Sequence, residues 1–306
     1  MITTLDQMAQ EVRAFGKRNR IAVAWAQDPN TIGAVCHAVQ EDFAEALMIG
    51  RPDEILSVCG RAGISKSLFE IIPSDNAGEA ATKAVEMVRT GEADILMKGL
   101  VGTDVFLKAL MDKEKGIMLP DAVLTYVGAL EIPSYHKLLF ITDPAVIPFP
   151  DLGQKLAMIG YAAEMTRKFG ISVPKIALIS ASEKVSRHFP SNVDYSTITG
   201  MAREGRLADC IIDGPLDLFL ACDAESAEIK GVATPIGGDA DVLLFPSLES
   251  SNPFYKGLML FASGQLAGLI RGTSKPVVLM SRSESEKSKY YCIALACMMA
   301  GHNSDN

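Results

Sequence analysis

Short apolar runs of β character alternate with longer stretches of helical period along almost the whole chain, and this alternation limits the possible folds more than any other feature. Candidate strands lie at 21–25, 46–49, 70–72, 94–97, 138–142, 175–180, 209–213, 241–245 and 276–280. Candidate helices lie at 5–17, 31–41, 52–62, 76–90, 103–113, 152–169, 196–204, 253–269 and 284–299. Strands almost continuous in Val, Ile and Leu, separated by helices, predict a mostly parallel sheet covered on both faces. The 306 residues suffice for one large α/β domain or two moderate ones, and with 48% hydrophobic and 22% charged residues the chain can build a large core.

The stretch 113–136 breaks the rhythm. Gly116, Pro120, Gly128 and Pro133 surround a short strand-like piece at 122–127. The expected partition is therefore a first α/β domain of 1–136 plus 272–306 and a second of 137–271, with the chain returning near Gly272. A net charge of −8 and no basic stretch argue against nucleic acid as a partner. The N-terminus lacks the basic start and apolar core of a secretory signal. The longest apolar-rich run, 257–270, is shorter than the roughly 18–20 residues that span a bilayer. Six cysteines without a CxxC pair read as reduced, buried thiols. A cytoplasmic protein away from membranes is the expectation.

The chain has no GxGxxG and no GxxxxGK[ST], so neither a dinucleotide fingerprint nor a P-loop is supported. His37, His136, His188 and His302 lie far apart without metal-ligand spacing, and no metal site is expected. Polar groups gather instead just past the candidate strands, where open α/β sheets collect their ligands. Lys98 and Gly99 begin a turn before Thr103, placed here as the cap of a helix; the alternative reading is a plain βα turn with a surface lysine. Thr142 and Asp143 precede a proline-rich loop, which either shapes a pocket or merely connects. Glu183 and Asp213 follow two further strands, and Asn252 closes a Ser-rich loop at 246–252. Ser281-Arg282 is the sharpest feature: an Arg beside a Ser at a strand exit suits a phosphate or carboxylate. Glu284 and Glu286 follow, either as a general base or as favourable charge in the first turn of the last helix.

Together the segments AVAWAQDP (22–29), ADILMKGLVGTDVFLKAL (93–110), LLFITD (138–143), IIDGPLDL (211–218), ADVLLFPSLESSNPFYK (240–256) and GTSKPVVLMSRSES (272–285) with IALA (293–296) resemble, in order and spacing, the phosphate acetyl/butyryltransferase family, nearer its butyryltransferase branch. The resemblance implies a two-domain α/β/α fold similar to isocitrate and isopropylmalate dehydrogenases, with an active site in the interdomain cleft. It implies reversible transfer of a short- or branched-chain acyl group between coenzyme A and inorganic phosphate, with no cofactor beyond coenzyme A as substrate. It also implies a homodimer or higher homo-oligomer.

By the same resemblance Arg282 holds phosphate or acyl phosphate, Ser281 hydrogen-bonds the sulfur or the tetrahedral intermediate, and Glu284 matches an acid of the butyryl branch. Lys98, Gly99, Thr103, Thr142, Asp143, Glu183, Asp213 and Asn252 are the substrate-binding candidates. Departures stand beside the matches. The family's GLRTGK-type stretch is GIMLPDAVLTYV (116–127) here, and Thr125-Tyr126 replaces its Ser-His pair. Ile147 stands near a missing Asn, an apolar residue around Phe219 replaces an Asp, and Ser288 occupies the acetyl branch's acid position. An altered acceptor, a larger acyl group and lost catalysis all stay open. The alternative is a family member with impaired catalysis that binds coenzyme A or acyl phosphate as a sensor or scaffold. A metal-assisted decarboxylase of the same fold is disfavoured, because no Asp cluster has metal spacing.

Overall fold

The computed structural model describes residues 1–186, 188–207 and 209–301. His302 and the polar tail lie outside them. The chain divides into two compact units, one built from Leu5–Leu124 and the chain from Ala267 onward, the other from Met1–Thr4 and Thr125–Leu266.

The first unit runs α1 (Leu5–Ala14), β1 (Asn19–Ala24), α2 (Pro29–Gln40), β2 (Ala44–Gly50), α3 (Pro52–Ala62), β3 (Phe69–Pro73), α4 (Ala77–Thr90), β4 (Ile95–Lys98) and α5 (Thr103–Leu110). Strands β3, β2, β1 and β4 lie side by side and all parallel. Residues 21–24 of β1 are fully buried, as a strand covered on both faces must be. Helix starts follow the chemistry of the caps. Asp28 accepts from the Thr31 amide at 2.8 Å, and Pro29 needs no N–H in the first turn. At α5 the cap position belongs to Gly102, and Thr103, expected there, is the first helical residue.

The second unit runs β5 (Thr125–Glu131), β6 (Leu139–Thr142), α6 (Leu152–Lys168), β7 (Lys175–Ile179), α7 (Ser191–Arg203), β8 (Ile211–Leu216), α8 (Leu218–Cys222), α9 (Ala224–Lys230), β9 (Val242–Leu244) and α10 (Leu248–Phe261). Its strand order is β5-β6-β9-β7-β8, parallel apart from β5. Asp151 and Gln154 form a capping box at the start of α6.

The chain then passes through β10 (Gln265–Arg271) to β11 (Val277–Val278) and α11 (Glu286–Gly301). β11 pairs parallel with β4 and antiparallel with β10, completing the first unit's sheet. α11 is buried on nearly all sides, as its apolar circumference requires.

Three further expectations are corrected. The helix expected over 253–269 is two elements. α10 begins inside the Ser-rich stretch read as a loop, and Gln265–Arg271 is a strand. Ser263 at φ 54° and Gly264 break the helix, and the five apolar residues that follow are buried on both faces as strand residues. The crossings between the units fall at 124/125 and 266/267 rather than at 136 and 271. Thr125–Glu131 pairs with Leu139–Thr142, so the segment belongs to the second unit. Asp213, expected past a strand end, sits inside β8 opposite Ala177; the strand continues to Leu216, and Asp217 caps the next helix.

Candidate active site

In the first unit, the parallel register brings the carboxyl ends of β1, β2, β4 and β11 to one edge of the sheet. Gly99 leaves β4 directly against β1. Its N–H donates to Ala24 O at 2.9 Å and the Leu100 N–H to Trp25 O at 2.8 Å. A Cβ built on Gly99 would stand 2.5 Å from Trp25 O, so this close approach requires glycine.

Lys98, beside it, is only 3% exposed. Its Nζ donates to the carbonyls of Gly99 at 3.3 Å and Met280 at 3.5 Å, both long bonds. Burial pushes the amine down to about 8, Arg282 and Lys289 push the same way, and Asp28 opposes them. Asp28 is itself engaged by Lys289 at 2.5 Å and by the Thr31 hydroxyl at 2.5 Å.

The chain leaves β11 at Met280 and turns through Ser281–Ser285 before α11. The Glu284 N–H donates to Ser281 O at 3.2 Å, and Asn30 Nδ2 donates to Glu284 O at 3.2 Å, which pins the turn to the start of α2. Ser281 Oγ lies 3.0 Å from Ser283 Oγ. Arg282 is exposed and Glu284 is buried. Among the described residues no carboxylate forms an ion pair with the Arg282 guanidinium. Ser281, Arg282, Glu284, Lys98, Gly99 and Thr103 are thus brought to one edge, with Thr103 exposed at the start of α5. Asp28, Asn30 and Lys289 join them, and sequence reading did not single these out.

In the second unit, Thr142 and Asp143 stand at the end of β6. The Asp143 carboxylate accepts from Ala145 N at 2.8 Å, Val146 N at 3.0 Å, Ile147 N at 3.1 Å and Thr125 Oγ1 at 2.8 Å. It therefore organises its own loop. Burial raises its pKa even against those four donors. Ser251 Oγ donates to Asp143 O at 2.5 Å and Asn252 Nδ2 to Pro144 O at 2.8 Å, fastening α10 to the same loop. Glu183 is half-buried in the loop after β7, beside Ser182 Oγ at 3.5 Å. Asp213 is half-buried, 3.8 Å from Arg203.

A hollow of about 630 Å³ opens past the ends of β7 and β9, walled by Ile179, Phe189, Phe219, Phe245 and Phe254, with Ser180 among its polar groups. Its five apolar walls were not sequence candidates.

The strand exits of the first unit's α/β sheet present a buried lysine and an arginine that forms no ion pair among the described residues, at the kind of edge where such sheets collect their ligands. The family model described as phosphate acetyl/butaryl transferase matches residues 68–297. A phosphate butyryltransferase of Clostridium acetobutylicum is 36% identical over 302 residues, covering 99% of this chain and all of the relative. A phosphate acetyltransferase of Thermotoga maritima is 34% identical over 298 residues, covering 97% of this chain and 99% of the relative. A branched-chain phosphotransacylase from Enterococcus faecalis superposes with a TM-score of 0.82 at 30% identity, covering 93% of this chain and 99% of the other. The chain belongs to the phosphate acetyl/butyryltransferase family.

Proposed function

We propose that the protein transfers a short- or branched-chain acyl group reversibly between coenzyme A and inorganic phosphate. The observation that carries this reading is the strand edge where exposed Arg282 stands beside buried Lys98 and the Ser281 hydroxyl. Arg282 holds the phosphate, and its guanidinium matches two oxygens of an oxyanion at once. Ser281 donates to the oxygen or sulfur on which charge develops when phosphate oxygen attacks the thioester carbonyl. Glu284, buried in the same turn, is the acid nearest in the chain to that pair. No covalent enzyme intermediate is needed, because holding the two reactants in line lowers the barrier directly. The reading invokes no cofactor other than coenzyme A as substrate.

The Phe-walled hollow of the second unit suits an apolar portion of an acyl-CoA. Among the described residues no helix is long and apolar enough to cross a membrane. All six cysteines are free thiols, four of them buried, which fits a reducing cytoplasm. We place the protein there as a homodimer or larger homo-oligomer, on the strength of the exposed apolar end of α10, where Leu260 is 75% and Phe261 84% exposed.

The test supplies acetyl-, butyryl- and isobutyryl-CoA with phosphate, and separately with arsenate, and follows free thiol. Turnover that Arg282→Ala lowers by about 10²–10³-fold is expected. Tight coenzyme A binding without turnover on any of the three would replace the enzyme reading with that of a sensor.

A further inference from the structure

We propose that the Nζ of Lys98 carries the proton that moves between phosphate and the coenzyme A sulfur during acyl transfer. This rests on the phosphate acyltransferase reading, and it names a proton-transfer group where the sequence offers only acids.

The reaction requires one. When an oxygen of hydrogen phosphate bonds to the thioester carbonyl carbon and the C–S bond breaks, the products are an acyl phosphate and a thiolate. The proton that phosphate gives up must end on sulfur. In the reverse direction the thiol must lose its proton before sulfur can attack. A group that is an ammonium toward the departing thiolate and an amine toward the attacking thiol serves both directions, and the phosphate proton restores it in each forward turnover.

Lys98 stands where such a group is needed. Its amine bonds Met280 O, the carbonyl immediately before Ser281-Arg282, so it lies at the root of the anion-holding turn. It is buried to 3% exposure, and among the described residues its hydrogen bonds are two long contacts to carbonyls. An ammonium has three donors to place. The charged groups that act on it come from three neighbouring segments: Asp28 from the β1–α2 turn, Arg282 from the β11–α11 turn and Lys289 from α11. Asp28 is committed to Lys289 and Thr31. Burial first, and then the charges of Arg282 and Lys289, disfavour the ammonium form, and this keeps the lysine close to losing its proton at neutral pH.

Two other positions of the region are placed less well for the task. Glu286 leans on α2, where a Cβ on Gly33 would stand 2.3 Å from its Oε2. Position 288, seven residues after Ser281, is a buried serine. Glu284 is the competing acid, and the experiment includes it.

The experiment compares Lys98→Met, Lys98→Arg and Glu284→Gln with the unmodified protein. It measures kcat and KM for butyryl-CoA with phosphate and for butyryl phosphate with coenzyme A from pH 6 to 10, and coenzyme A affinity by calorimetry. The expected result is that Lys98→Met and Lys98→Arg each lower kcat about 10²–10⁴-fold in both directions while coenzyme A affinity changes less than about threefold. Glu284→Gln is expected to keep the pH profile of the unmodified protein. Restoration of kcat by Lys98→Arg would reduce Lys98 to a fixed charge and overturn the proposal. So would loss of the pH-dependent limb in Glu284→Gln alone.

If Lys98→Met fails to fold, NMR of ¹³C-labelled lysine in the unmodified protein decides. A side chain titrating near pH 8 supports the proposal, and one still protonated above about pH 10 overturns it. An unmodified protein without turnover would sink the acyltransferase reading itself. An active one that Arg282→Ala silences and Lys98→Met does not would sink only the proton role.

Discussion

Asp28 ties three pieces of the first unit together at the scale of single residues: the end of β1, the first turn of α2 and Lys289 of α11. Burial alone would raise its pKa, but hydrogen bonds from Lys289 and Thr31 and the Lys289 charge hold it below the ordinary carboxylate value. Asp28→Asn leaves Lys289 charged and buried without its partner, so a loss of about 3–5 kcal/mol is expected in urea unfolding at pH 7. The sign of the pH dependence follows. A depressed carboxylate stabilises fully above its unfolded value of about 3.9, and that contribution fades as pH falls through the lower folded value. Urea midpoints from pH 7 down to 2 should therefore fall less steeply for Asp28→Asn than for the unmodified protein. Asp143, raised by burial, contributes in the opposite sense: its stabilisation is present below the unfolded value and is lost as pH rises through the folded one. Ser281, Arg282 and Lys98 were legible in the sequence because each lies next to a strand end that its own segment reveals. Asp28 was not, because its partner is 261 positions away and no local pattern reports it.

Gly99 and Gly91 separate two uses of glycine at the scale of elements. Gly91 ends α4 in the left-handed region at φ 85°, with open space where a Cβ would go. Gly91→Ala should cost only about 1 kcal/mol of backbone strain and leave turnover unchanged. Gly99→Ala would drive a methyl group into the carbonyls of Ala24 and Trp25 and pry the exit of β4 away from β1. A stability loss of about 1–3 kcal/mol is expected, with a larger fall in kcat than Gly91→Ala produces, because Lys98 moves with the strand end. Thermal melts and turnover of the two variants in parallel check this; equal kcat for both would detach the β4 exit from catalysis. Most strands of the first unit were legible because parallel strands covered on both faces are short unbroken apolar runs. The same property hid β10. LAGLI reads equally as the end of an apolar helix, and only the backbone turn at Ser263 and Gly264 separates the two. β5 was misplaced for a related reason, since its antiparallel partner β6 lies across a loop in which Pro133 masks the pairing.

The whole molecule carries a net charge of −8, which keeps single chains apart, yet it exposes a helix end that water does not favour. In α10 only Ser251 and Tyr255 are buried, while Leu260 and Phe261 stand open. A helix of this composition normally covers its apolar face. The hollow beside Phe254 lies on the same helix, so covering one end of α10 would also steady a wall of that hollow. Sedimentation should therefore give at least twice the chain mass of 32.8 kDa, with a melting temperature that rises with protein concentration. Phe261→Glu places a charge in the proposed contact. It should yield particles of single-chain mass whose melting no longer depends on concentration. The same variant should raise KM for butyryl-CoA more than for acetyl-CoA, since the longer acyl group depends more on an apolar wall. If Phe261→Glu sediments unchanged, the end of α10 is not where copies meet. If it separates the copies without touching either KM, assembly and substrate binding are independent properties of this fold.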